Sequence, residues 1–456
     1  MTYRSKVALV YLLGFALDLL NMFVANIAYP DIARELHASV TELAWIGNAY
    51  MLGLTLIIPL SVWLGARIGE RRLILASLLL FGIASALVAQ AGSIESLIGW
   101  RLLQGLGGGL LLPVGQALAY RQFPPAQRAH FTGVVLLVAL MVPALSPAAG
   151  GLIVQALSWR WIFYLNLPLA LLAFGLGMFW LKAEKASTER PTLDAVGLLL
   201  AMTALSLLLI AVSLLSEPAT RLFGLLGLML SAAVAALYLS DGWRKPVAIL
   251  DLQLIKNPSL RLAMLIYLCV PGIFTGTNLI AVLYLHELGF GAAQIGALML
   301  PWAAGSGVAI TLGKRSFNRI GPKPLLISGM LLQCLGIVLL MRIEQSASAL
   351  LIIAYAVMGL GGSLCSITAQ TLAFVGTTPE KMAHASALWN INRQLGFCLG
   401  AALLSSLLGA LGTQGFNDCF IAAALLTLVP MAAVLRFDST NVLALLTSPP
   451  LQEKSA

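Results

Sequence analysis

The sequence predicts an all-α polytopic membrane protein: two pseudo-symmetric six-helix halves plus two inserted helices, fourteen transmembrane helices in all, with both termini cytoplasmic. Composition, the spacing of the apolar runs and the placement of basic residues carry this prediction. Of 456 residues, 60% are hydrophobic and 10% charged, against about 25% charged in an ordinary soluble domain. A soluble fold of this size has no interior large enough for that apolar surface, whereas lipid accepts it on the outside. A soluble helical solenoid is excluded because its helices would carry a polar stripe, and these do not.

A helix needs about 20 apolar residues to cross the hydrocarbon core. Such runs fall near 7–28, 43–64, 73–91, 97–119, 130–154 and 161–181. Two more follow near 193–215 and 221–240, and a last group near 259–285, 291–312, 324–342, 348–375, 384–410 and 416–436. The N-terminal stretch has a basic start but no small-residue cleavage site, and its apolar run is long enough to span, so it reads as the first helix.

With the N-terminus inside, the inner loops and tails carry 21 lysines and arginines, among them Arg4, Lys6, Arg67, Arg71, Arg72, Arg121, Arg128, Lys182, Lys185, Arg190, Lys314, Lys381 and Lys454. The outer loops carry four: Arg34, Arg160, Arg221 and Arg342. That asymmetry sets the orientation and supports an even number of spans. It also accounts for the net charge of +9 without nucleic acid, because the charges form no basic face. The five cysteines (Cys269, Cys334, Cys365, Cys398, Cys419) lie mostly in apolar stretches without CxxC pairing, and read as small apolar residues.

Three segments recur in order. Arg67-Ile68-Gly69-Glu70-Arg71 is echoed by Arg319-Ile320-Gly321-Pro322-Lys323, 252 residues later. Gly105 to Leu110 is echoed by Gly359 to Leu364, and Pro125 to His130 by Pro379 to His384, each 254 later. The chain therefore divides into an N-terminal six-helix half (1–182), two inserted spans with cytoplasmic connectors (183–258), a C-terminal half (259–438) and a tail (439–456). Parallel halves fit a rocking transporter with its site at their interface.

Several segments carry candidate chemistry. The loop after span two reads Gly65-Ala66-Arg67-Ile68-Gly69-Glu70-Arg71-Arg72: glycines for a tight turn, basic side chains that pair with acids or with the C-termini of neighbouring helices. Span four opens with Arg101 and Gln104, one turn apart on one face; an arginine inside a span is costly and faces the protein interior or water. Span five holds Gly133, Val142, Ser146, Pro147, Gly150 and Gly151, residues that permit close packing and a bend. Span one carries Asp18, then Asn21, Asn26 and Pro30; desolvation penalises the charged form of a mid-membrane carboxyl, which suits a proton carrier. Asn390, Asn392, Arg393 and Gln394 form a polar cluster in span thirteen, with interhelical glue as the competing reading. Trp45, Asn48 and Tyr50 in span two, Asn278 in span nine and Trp302 in span ten are further candidates for a substrate cavity.

These residues resemble the major facilitator superfamily over essentially the whole chain, and within it the fourteen-span drug:proton antiporters. The Gly65 to Arg72 loop is similar to the superfamily's signature loop, with Ala66 where an acid normally stands. Arg101-Leu102-Leu103-Gln104-Gly105 resembles its Arg-x-x-Gln-Gly motif. Span five resembles the antiporter signature with Val142 and Ser146 in place of two glycines. Trp159 to Pro168 looks like the family's entry into span six, and Arg393-Gln394-Leu395-Gly396 like its Arg-Gln-x-Gly stretch. Asn21 to Pro30 lines up with D-x-x-x-x-N-x-A-x-P, with Asn21 at the acidic position and Asp18 one turn away to take it over.

The resemblance implies a secondary active transporter in the bacterial plasma membrane: proton-coupled efflux of small amphipathic or cationic compounds by alternating access. The expected coupling residues are Asp18 and Arg101, the cavity residues those named above, the gating loop Gly65, Arg67, Gly69, Arg71 and Arg72, and the bend Pro147, Gly150 and Gly151. The partners are a small-molecule substrate, protons and the bilayer, with no cofactor, metal, ATP or nucleic acid; a periplasmic adaptor stays open. ATP is excluded because the nearest approach to a phosphate loop, Gly307 to Gly313-Lys314-Arg315, has five intervening residues and no Ser or Thr after the lysine. A carrier of one endogenous metabolite is the alternative. A membrane-embedded lipid-modifying enzyme is disfavoured because the histidines (His37, His130, His286, His384) are scattered.

Overall fold

A computed structural model describes residues 1–183, 192–215, 220–245, 248–343, 348–412 and 415–447, without the side chains of Asn26, Val40, Thr41, Pro147, Ala148, Ala292, Ala293 and Ser348. Lys185, Arg190, Lys454 and the end of the tail fall outside these residues.

Fourteen helices among the described residues are long and apolar enough to span a bilayer. Spans one to six are Tyr3–Val24, Glu42–Ile68, Glu70–Ala89, Ile94–Arg121, Pro125–Ala156 and Arg160–Trp180. Spans seven and eight are Ala195–Leu215 and Arg221–Arg244. Spans nine to fourteen are Pro258–Glu287, Gln294–Ile320, Pro322–Leu340, Ala349–Val375, Pro379–Leu411 and Phe416–Arg436. Local chemistry sets several starts: Ser39 and Glu42 form a reciprocal capping box before span two, and Pro258 and Pro322 occupy the first turn of their helices, where no N–H is needed.

Span one departs from the expected 7–28. Its α-helix ends at Val24 and passes through a 3-10 turn, Ala25–Ala28, into a short helix, Tyr29–Leu36. Pro30 has no N–H to bond back to the Asn26 carbonyl, so the α-ladder is interrupted there. Span nine is broken similarly by a π-turn at Leu268–Gly272 that contains Pro271. Span five begins at Pro125, ahead of the apolar run expected from 130, because protein rather than lipid receives that end. Buried Arg128 donates to the carbonyls of Phe374, Val375 (3.2 Å) and Thr377 (3.2 Å) at the end of span twelve.

The helices pack as two compact units, taking described residues only. One comprises Met1–Ala119, Val138–Gln253 and Lys381–Ile391, and the other Tyr120–Leu137, Leu254–Glu380 and Asn392 onward. In the first unit span four is the core, buried over 83% of its apolar window, while span eight is buried over only 11% and presents its leucines outward as a lipid-facing helix does.

Spans two and four cross at glycines. A Cβ on Gly105 would lie 2.1 Å from the Tyr50 carbonyl oxygen, and one on Gly53 2.2 Å from that of Leu102. The second unit repeats the crossing between spans ten and twelve: a Cβ on Gly359 would lie 2.1 Å from the Trp302 carbonyl oxygen, and one on Gly305 2.1 Å from that of Ala356. Gly305 and Trp302 follow Gly53 and Tyr50 by 252 residues, and Gly359 and Ala356 follow Gly105 and Leu102 by 254. Helices without a hydrophobic force between them rely on such close backbone approach.

The connectors around the inserted pair are tied by one carboxylate. Asp194 accepts from Lys245 Nζ at 2.8 Å, Gly197 N at 3.0 Å and Ile249 N at 3.3 Å. Burial pushes its carboxyl up, but the Lys245 ammonium and the two N–H groups outweigh that and hold it below the usual range.

Candidate functional site: a buried polar cluster on spans one, two and four

Asp18 and Asn21 sit three residues apart on span one and share a face; both are buried. Span four places Arg101, 1% exposed, against them. Arg101 Nη1 donates to Asn21 Oδ1 at 3.0 Å and to Gln104 Oε1 at 2.8 Å, and Nε donates to the Ile46 carbonyl at 3.1 Å. Its guanidinium carbon stands 4.5 Å from the Tyr50 ring centroid and 5.6 Å from that of Phe163. Tyr50, from span two, donates its hydroxyl to Asp18 Oδ1. Around this core, Gln104 Nε2 donates to Ser85 Oγ at 2.6 Å and Asn166 Nδ2 to Asn21 Oδ1 at 3.1 Å.

An isolated buried guanidinium is strongly disfavoured, and here neutral oxygens and two ring faces hold it. Asn21 stands at the acidic position of the span-one pattern, so the arginine's partner on that helix is an amide oxygen, while the carboxylate one turn earlier is held by a phenol. Asn21 Nδ2 and Asn166 Oδ1 are buried with no hydrogen-bond partner among the described residues. At the end of the cluster beyond span one, burial raises the Tyr29 phenol while the Arg101 charge pulls it back.

The other expected cavity residues are distributed. Asn48 Nδ2 donates to Ser213 Oγ of span seven at 3.0 Å, which turns it toward the inserted pair. Trp45 is half-buried. The Asn26 side chain lies outside the described residues. Asn390 donates to Gln116 Oε1 at 2.7 Å, and Ser386 Oγ donates to the same oxygen at 2.8 Å. In the second unit, Trp302 stacks on Phe274 at 5.5 Å, Asn278 is half-buried, Gln394 is buried and the Arg393 charge is felt at the Tyr267 phenol. Tyr50, a cavity candidate by sequence, is 1% exposed and closed in. A cavity of about 280 Å³ in the first unit lies at another place, between Trp63, Lys245, Asp251 and His384.

The signature loop is a tight turn: Gly69 has φ 90° and its N–H returns to the Gly65 carbonyl at 3.0 Å. Arg67 covers the Trp63 ring at 4.9 Å, Arg71 Nη2 donates to the Met178 carbonyl at the end of span six at 2.6 Å, and Arg72 is exposed. The second unit repeats the device, with Gly321 at φ 78° and Lys323 Nζ donating to the Leu435 carbonyl at the end of span fourteen at 2.6 Å. These bonds satisfy orphan carbonyls of helix C-termini. In the span-five motif, a Cβ on Gly150 would meet Ile27 at 2.7 Å, Gly151 has nothing within 4 Å, and the Pro147 side chain lies outside the described residues.

The roles of Tyr50, Ser85 and Asn166 are not signalled by sequence, because each depends on how neighbouring helices are rotated. Nor is the link from Glu35 to Trp159 Nε1 (2.6 Å) and Arg160 (2.5 Å), which ties the segment after span one to the entry of span six.

The sequence profile of the Major Facilitator Superfamily matches residues 11–401 and again 263–447. The chain belongs to the major facilitator superfamily. Among its relatives are a multidrug resistance protein B homolog of Mycobacterium tuberculosis, 31% identical over 414 residues covering 88% of this chain and 75% of the relative. The putative multidrug resistance protein MdtD of Salmonella heidelberg is 27% identical, with 88% and 86% covered. The multidrug transporter protein MdtP of Bacillus subtilis is also 27% identical, with 85% and 72% covered. The fold is shared with the human organic anion transporter MFSD10 at a TM-score of 0.70 and 16% identity, over 95% of this chain and 100% of that one. This major facilitator protein is thus a multi-pass membrane transporter and not an enzyme; in bacteria such a protein typically sits in the inner membrane.

Proposed function

We propose that this transporter is a proton-coupled exporter of small amphipathic or cationic compounds, working by alternating access with Asp18 as its proton carrier. One observation carries the reading. Among the described residues, Asp18 is the only Asp or Glu lying more than one turn from the end of its span, and it is buried against a hydroxyl donor with Arg101 behind it. A carboxyl in that setting changes charge at a high desolvation cost, so a proton or a cationic substrate entering its surroundings shifts the balance between conformations. The multidrug names of the relatives support a compound of that class.

The proposed arrangement has both termini on the cytoplasmic side and two six-helix halves, 1–182 and 259–438, with spans seven and eight inserted. The repeated glycine crossing and the repeated basic cap at Arg71 and Lys323 support that duplication.

The test is accumulation of ethidium, a lipophilic fluorescent cation, and susceptibility to a panel of antimicrobials, in a host stripped of efflux pumps. Wild type should lower accumulation when the outside is acidic, and Asp18→Asn should slow export at least about tenfold. Unchanged export by Asp18→Asn removes Asp18 as the carrier. A wild type with no phenotype toward any compound favours a carrier of one endogenous metabolite.

A further inference from the structure

We infer that Tyr50 is a positioning residue for proton exchange at Asp18: its hydroxyl holds the carboxylate while Arg101 holds its ring. This rests on the reading of Asp18 as proton carrier and assigns to span two a part in it. Arg101 spends its donors on Ile46, Asn21 and Gln104, and meets the phenol through its flat face at 4.5 Å. The phenol in turn donates to Asp18. The order is therefore guanidinium, ring, hydroxyl, carboxylate, across spans four, two and one.

The fit is close. A Cβ on Gly108 of span four would stand 3.1 Å from Tyr50 Oη and 3.2 Å from Asp18 Oδ1, so the absence of a side chain there leaves the space in which hydroxyl and carboxylate meet. Among the described residues, the titratable groups facing this pair are Arg101 from span four and, beyond it, Tyr29. Span three contributes Phe81 and Ser85, and span six Asn166 and Phe163, all uncharged.

A hydroxyl that donates to a carboxylate stabilises the ionised form and so eases proton release. When the proton is on Asp18, the carboxyl is neutral and the hydroxyl's bond to it weakens from a charge-assisted to an ordinary one. Span two thereby senses the protonation state of span one without a direct ion pair between Arg101 and Asp18.

The experiment reads Asp18 directly and needs no transport substrate. Dicyclohexylcarbodiimide reacts with protonated carboxyls in apolar surroundings, and its adduct on the span-one peptide is quantified by mass spectrometry across pH in the purified full-length protein. Asp18→Asn supplies the blank. Tyr50→Phe keeps the ring and its stacking on Arg101 but removes the donor, so the labelling midpoint should move to higher pH by about one unit. Gly108→Ala crowds the same hydroxyl and should move the midpoint the same way, which serves if Tyr50→Phe does not fold. A folded Tyr50→Phe, or failing that a folded Gly108→Ala, whose profile superimposes on wild type overturns the inference. Failure of both variants to yield folded protein also overturns it, since the pair would then be a packing element. Loss of Asp18 as carrier shows instead in the export assay, where Asp18→Asn would be silent.

Discussion

Two carboxylates, treated oppositely by their surroundings, show how single residues carry this protein's behaviour. Asp18 is buried in a span against one phenol, with the Arg101 guanidinium beyond it. Glu35, in the segment after span one, is half exposed and meets the Trp159 indole N–H and the Arg160 guanidinium. The indole bond first, and the arginine second, hold the Glu35 carboxyl below its ordinary value. A lowered folded value means that the contact stabilises the fold above the unfolded carboxylate's pKa, about 4.3, and that this contribution fades as pH falls through the folded value. Solvent screening keeps the effect small. Acidification below about pH 4 should therefore release Trp159, read as a change in tryptophan emission that Glu35→Gln abolishes. An identical acid response in both proteins would assign it elsewhere. The polar cluster was partly legible in sequence: Arg101 and Gln104 read as one face, and they hydrogen-bond at 2.8 Å. Tyr50 was legible only as a polar aromatic in a span, because its partner lies 32 residues away on another helix.

At the scale of elements, the crossings at Gly53, Gly105, Gly305 and Gly359 fix how closely spans two and four, and ten and twelve, approach. Gly105→Ala sets a Cβ against backbone at 2.1 Å, which no rotamer change relieves. The helices must part, at a cost of about 1–3 kcal/mol by analogy with overpacked cores, and the thermal midpoint followed by size-exclusion chromatography should fall by several degrees. Gly359→Ala should do the same in the second unit. Gly151→Ala, with open space around it and a better helix former in place, should leave the midpoint unchanged or slightly raised. Equal effects at all three positions would refute the packing argument. Apolar length alone located the spans, since the physics that demands about 20 apolar residues leaves little freedom. It missed what protein contacts decide: the 3-10 break after Val24, and the extra turn of span five that carries Arg128 onto the carbonyls of span twelve.

For the whole molecule, the duplication connects devices that sequence shows only as echoes. Gly69 and Gly321 turn with positive φ, and the basic residues two positions on, Arg71 and Lys323, cap the ends of spans six and fourteen. The polar cluster is not duplicated. The positions 254 residues after Arg101 and Gln104 hold Tyr355 and Met358, buried in an apolar core. Among the described residues, the glycine crossing and the basic cap occur twice, whereas the Arg101 and Gln104 pair occurs once. The proposed orientation is checked with a membrane-impermeant maleimide on a variant whose five cysteines are replaced. Lys182→Cys should be protected in intact cells and labelled after permeabilisation, and Arg221→Cys labelled in both. The reverse pattern would invert the topology.

Under the proposed coupling, a single deep carboxyl also limits what would drive export. Carrying its proton on Asp18 alone, such an exporter would return one proton per turnover. Exchanged for a monovalent cation, that proton moves no net charge, so the membrane voltage does no work and each unit of pH difference supports only about a tenfold concentration ratio. Exchanged for a neutral compound, the same cycle carries one positive charge inward and gains about 2.3 kcal/mol per 100 mV. The cell's electrical potential would then favour uncharged cargo over cations, a bias set by a count of one acid rather than by any contact with the cargo itself.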